Sequence, residues 1–409
     1  MARVTATTRA LVVRLAAVLV AVSACSGNGH VTPVVVAAPE DDSGEASTLP
    51  VRAGTWRPLP PSPLSGRWDA TGVWTGSKVV VWGGHASAVE ALVDGASYDP
   101  QSRSWTPIPP APVPERGHQV AYWIDDRLLV WVDAWHPELA AGAVYTAEDD
   151  RWVRLASPPD ALTLGAPAVA TEDLLFVVAR SEDGSTSVVS YDPATDHWDV
   201  LPAPPPTTED VFIVETGGEL YLWGCAGRYG AAYDSARGEW TGVKPPPGGS
   251  APCHSSPPLF PAAFASDRAV VVWPWRDADR PGEQPAPRLP GARFDGGAGT
   301  WTASAPAPTD MPARAVATGD AVVVWGGGTH PDPPCGDVEY LATTAAGFSY
   351  SIAGDSWQAL DEAPLAPRNG HAMVWTDRDV FVWGGAASGP AGECVLFGDG
   401  ATWEPLNPR

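Results

Sequence analysis

Lysine is almost missing from this 409-residue chain: only Lys78 and Lys244 occur, and 25 Lys and Arg face 48 Asp and Glu, for a formal net charge of −23. Such a surface repels a phosphate backbone, which argues against nucleic acid as a partner. No stretch repeats apolar residues at i, i+3, i+4 and i+7, so packed helices should be few. The five cysteines include no Cys-x-x-Cys, which weakens a thiolate metal site. Also lacking are Gly-x-Ser-x-Gly, His-Glu-x-x-His, a phosphate-binding glycine loop and an Asp-x-Asp-x-Asp-Gly calcium loop, so no enzyme signature stands out and no cofactor is expected. What the chain has in plenty is 45 Pro, 42 Gly and 20 Trp, a composition that suits short strands and tight turns.

Residues 1–24 carry Arg3, Arg9 and Arg14 without an acid, then an apolar run from Leu15 to Val22 that is too short to span a bilayer. The run ends in Val22-Ser23-Ala24-Cys25, which resembles the lipobox of bacterial lipoproteins. The resemblance implies an exported chain, cleaved before Cys25 and held on the outer face of the cell membrane by a lipid on that residue. Residues 25–54 show no period and are rich in Gly, Ser, Ala, Val and acids, the composition of a flexible tether. As a coil of ~30 residues it would span roughly 30 Å, holding a head just off the membrane.

Within the body expected from residue 55 to 409, one pattern recurs along residues 68 to 403. Tyr98 and Trp105, Tyr145 and Trp152, Tyr191 and Trp198, Tyr233 and Trp240, Phe294 and Trp301, and Tyr350 and Trp357 are spaced alike, and Phe397 and Trp403 are one residue closer. Turn formers such as Asp99-Pro100-Gln101-Ser102 lie between the partners, so each pair reads as a hairpin. Upstream of each hairpin is a near-continuous apolar run, as at Val79 to Trp82 or Val380 to Trp383, which implies burial on both faces of an inner strand. A further short strand precedes each run. Four antiparallel strands per unit, seven times over, predict an all-β, seven-bladed β-propeller. Trp56-Arg57-Pro58-Leu59-Pro60 copies an outer-strand ending and makes an eighth such segment. The carboxy-terminal Trp403-Glu404-Pro405-Leu406 is expected to complete the last blade, leaving the Trp56 segment to cover an edge or compete for that slot.

The double glycines Gly83-Gly84, Gly326-Gly327 and Gly384-Gly385 after the second strand, together with the aromatic-Asp and spaced Trp of the hairpins, resemble the Kelch repeat family. Three blades depart from the pattern, with Val132-Asp133, Ala179-Arg180 and Pro274-Trp275 in place of the glycines, and Gly224-Cys225 keeps half of it.

Beyond Cys25 the exported chain has four cysteines, an even number that favours disulfides. Propeller topology puts Cys225 and Cys253 on one face in neighbouring loops, and Cys335 and Cys394 in equivalent loops of adjacent blades, so these two pairings are expected. A metal site from these thiols with His254 or His330 is the rival. The same face gathers the candidate binding residues. Arg67, Arg116, His118, Arg314, Arg368 and His371 fall near the starts of innermost strands, and His85, His136, Arg276 and His330 fall in loops. A basic and aromatic rim on an acidic protein suits a carboxylate or a sugar. However, Arg116-Gly117-His118 and Arg368-Asn369-Gly370-His371 resemble a Kelch feature that braces loops and blades. The expected function is that of a monomeric, non-catalytic binding or scaffolding head for a protein, peptide or glycan. The alternative is a carbohydrate-active propeller enzyme of isomerase or epimerase type, with a copper oxidase behind it.

Overall fold

The computed structural model describes residues 49–406, apart from 88–89, 116–117, 134–140, 160–161, 182–183, 208–210, 225–227, 247–261, 267–268, 274–290, 310–312, 329–342 and 390–392. Every regular element among them is a strand. Blade I is formed by Thr71–Trp74, Val79–Trp82, Gly95–Asp99 and Ser104–Ile108, paired antiparallel in chain order from the axis outward. Five further sheets follow as blades II to VI, and blade VII closes the ring.

Strand alternation explains the continuous apolar runs. In blade I, Val79 and Val81 pack against Val374, Phe381 and Trp383 of blade VII, whereas Val80 and Trp82 pack against Ala121, Leu128 and Val130 of blade II. Each inner strand therefore contributes to two seams, so both of its faces must be apolar. Seven clusters of this kind join I to II, II to III and onward until VII meets I.

The aromatic pairs sit directly opposite one another across the two outer strands, with ring centroids 4.8–5.2 Å apart and planes tilted. Their four-residue loops place a left-handed residue two positions before each Trp: Arg103, Asp150, Asp196, Gly238, Gly299 and Asp355. Asp tolerates this conformation better than most side chains. At Asp150, Asp196 and Asp355 its carboxylate accepts the hydroxyl of Tyr145, Tyr191 or Tyr350, each at 2.7 Å.

Each outer Trp also donates its indole N–H to a carbonyl just past the outer strand of the preceding blade. Trp105 reaches Pro60, Trp152 Pro109, Trp198 Ala156, Trp240 Pro202, Trp301 Lys244 and Trp357 Ala305. The seventh bond comes from Trp56, whose indole donates to the Asp361 carbonyl at 3.0 Å.

Blade VII thus differs from the sequence expectation. Gly400–Pro405 is its third strand, and Gly54–Pro58 pairs with it antiparallel as the fourth, Trp56 facing Trp403. Phe397 lies outside the strand, so the Phe397 and Trp403 hairpin does not form; Trp403 holds the place of the hairpin Tyr, and Trp56 holds that of the hairpin Trp. Upstream, Val51–Arg52 runs parallel to the outer strand of blade VI, Ser356–Leu360, as a fifth strand. The ten residues from 49 to 58 therefore cross the seam between blades VI and VII.

Candidate functional site

The turns after second strands and the starts of innermost strands lie at one end of the ring, as the bridge between Trp68 and His85 shows. Main-chain bonds stitch three neighbouring blades there: Gly327 N donates to Arg368 O of blade VII at 2.9 Å, and Asp69 N of blade I donates to Gly370 O at 2.6 Å.

Arg67 and Arg368 have the same environment in blades I and VII. Arg67 Nε donates to Ser65 O at 3.1 Å, and Nη1 donates to Gly83 O at 3.1 Å and Asp94 Oδ1 at 2.6 Å. Arg368 repeats this with Ala366 O, Gly384 O and Asp399 Oδ1. Their side chains are 1% and 0% exposed, and Arg368 also lies 4.0 Å above the Phe397 ring. These two guanidinium groups brace the chain where it joins a blade. Burial pushes the Arg368 pKa down and Asp399 counteracts it.

His371 is fully buried and edge-on to the Trp325 indole at 5.1 Å. Burial first, then the charges of Arg314 and Arg368, hold its pKa well below the ordinary value, so it is neutral near pH 7. His85 stacks on Trp68 at 4.4 Å, and burial lowers its pKa despite the opposing charge of Asp69.

Arg314 is different from the two braces. It opens the innermost strand of blade VI, Arg314–Ala317, is 19% exposed, and makes an ion pair with Asp69, 5% exposed, which precedes the innermost strand of blade I. The pair spans blade VII at the loop end of the ring. Asp69 was absent from the sequence reading; the signal available was an aspartate where blade VII has Gly370.

Side-chain geometry for Arg116, His118, His136, Arg276 and His330, and the structure around Cys25, Cys225, Cys253 and Cys335, lie outside the described residues. Cys394 opens the short strand Cys394–Leu396 and is disulfide-bonded. Among the described residues no three His, Cys, Asp or Glu side chains converge to hold a metal ion, and no helix is long and apolar enough to cross a membrane.

No family model and no curated protein matches the chain. Among solved structures, a fungal alcohol oxidase of the AA5 family in complex with copper is similar at 14% identity and a TM-score of 0.56, covering 86% of this chain and 76% of that one. The structure of YjhT is similar at 13% identity and a TM-score of 0.44, covering 83% and 95%. The likeness is one of fold. This chain is a seven-bladed β-propeller.

Proposed function

We propose that the protein is a lipid-anchored binding module on the outer face of the cell membrane, which presents the loop end of its propeller to a ligand. The observation that carries this reading is the Asp69–Arg314 pair with His85 beside it. It links blades I and VI across blade VII at the loop end of the ring, where loops converge and a ligand site can form. Arg67 and Arg368 support the loops from behind. The anchor follows from the Val22-Ser23-Ala24-Cys25 segment, and the pairings Cys225 with Cys253 and Cys335 with Cys394 belong to the same exported setting.

Two experiments test the reading. Cells fed labelled palmitate should label the wild-type protein and not the Cys25→Ser variant; equal labelling removes the anchor. Glycan and peptide arrays probed with the purified head should yield a ligand whose binding falls in His85→Ala and persists in Lys78→Ala, on the opposite end. The reverse pattern would move the site to the other face. The fold shared with the copper-bound alcohol oxidase keeps an enzyme as the second reading, here of carbohydrate isomerase or epimerase type, which sugar interconversion followed by NMR would reveal.

A further inference from the structure

Two departures from the repeat meet at one point. In the six blades whose second strand carries a Trp near its end, the residue opposite that Trp is Thr71, Val120, Phe212, Ala262 or Ala372, whereas blade VI alone among the six has a charge there, Arg314 opposite Trp325. Two residues before Thr71 and Ala372 stand Asp69 and Gly370, both left-handed, with φ of 52° and 65°. Glycine takes that conformation freely, and aspartate is among the few other residues that tolerate it. The aspartate that stands where blade VII has glycine is the partner of the exceptional arginine. Positions where a sequence breaks its own local rule are where function is expected.

A brace does not account for this pair as it does for Arg67 and Arg368. Those two donate to main-chain carbonyls of their own blade and are sealed from solvent. Arg314 retains 19% exposure, and its carboxylate partner comes from a different blade. Blade VII, which lies between the two, has Gly370 and Ala372 at the corresponding positions, neither of which can form such a pair.

We propose that Arg314 is the recognition point for a ligand carboxylate, and that Asp69 occupies it as an internal stand-in until the ligand displaces it. This rests on the loop-end reading above and gives it a ligand class. The planar guanidinium offers a two-pronged set of donors matched to a carboxylate. Neutral His371 behind it brings no competing charge. Because the ligand must compete with a tethered carboxylate, its apparent affinity is reduced by the fraction of molecules in which Asp69 is displaced. If that fraction is on the order of one in ten, removing the stand-in tightens binding about tenfold.

The test uses Asp69→Gly, the residue blade VII has at the same place, together with Asp69→Asn, which also tolerates positive φ. Citrate and D-glucuronate are titrated calorimetrically at constant ionic strength into the wild type, both variants, and each variant combined with Arg314→Gln. D-glucose is the control without a carboxylate. The expected result is binding of at least one acid about tenfold tighter in both Asp69 variants, its loss on Arg314→Gln, and no heat from glucose. The inference is overturned if the Asp69 variants bind no more tightly than the wild type, or if Arg314→Gln leaves binding unchanged. It is also overturned if no variant takes up either acid, in which case a ligand found on the arrays and lost in His85→Ala would still uphold the loop-end reading.

Discussion

At the residue scale, the seven indole bonds do what a strand ladder cannot, since they run from blade to blade. Trp198→Phe keeps most of the ring packing against Tyr191 but removes the bond to Ala156 O, and should cost about 1 kcal/mol in urea unfolding. The hairpin aspartates add a pH dependence. Asp355 has its pKa lowered chiefly by the Tyr350 hydroxyl and then by the Ala305 amide. A group depressed in the folded state stabilises fully above its unfolded pKa, near 3.8, and the contribution disappears as pH falls through the folded value. Asp355→Asn, which keeps the left-handed turn, should therefore show a lower melting temperature than wild type at pH 6 and a smaller difference at pH 2.5. A constant difference would mean that the carboxylate charge is irrelevant there.

At the element scale, the strand Gly54–Pro58 rests on one glycine. A Cβ at Gly54 would lie 2.2 Å from Trp403 Nε1, and its amide donates to Asp361 Oδ2 at 2.8 Å. Trp403 is fully buried, so it has little room to yield. Gly54→Val should destabilise by about 1–3 kcal/mol through overpacking, read as a drop in the denaturation midpoint with an unchanged slope. The hairpin elements were legible because Tyr and Trp recur at fixed spacing around turn residues. The Trp56 segment was visible as an eighth copy, but its partner was not. That pairing spans almost the whole chain, and no local spacing encodes it. The Phe397 and Trp403 hairpin failed for the same reason: two aromatics six residues apart imitate the repeat, while the true partner of Trp403 is at the other end of the sequence.

At the scale of the molecule, a ring of seven seams is closed by the first strand and the last. Arg57 and Arg378 both reach Glu404, so charge as well as pairing fastens that closure. Deleting residues 1–58 removes the fourth strand of blade VII, the fifth strand of blade VI and the seventh indole bond together. The remaining chain should lose its single cooperative transition and bind a hydrophobic dye, because the outer edge over Trp403 becomes exposed. A truncated protein that melts sharply near the wild-type temperature would show that the ring holds without its amino-terminal strand.

By itself the sequence determined the strand content, the seven units and the two-sided burial of their inner strands, because these depend on short-range spacing and on side-chain alternation along a strand. It also marked Arg67 and Arg368 as special, without separating braces from a recognition point. Only the tertiary structure decided which strand completes blade VII and that Asp69 meets Arg314. Both are contacts between residues more than two hundred positions apart, and they come into being when the ring closes and brings its two ends to one side.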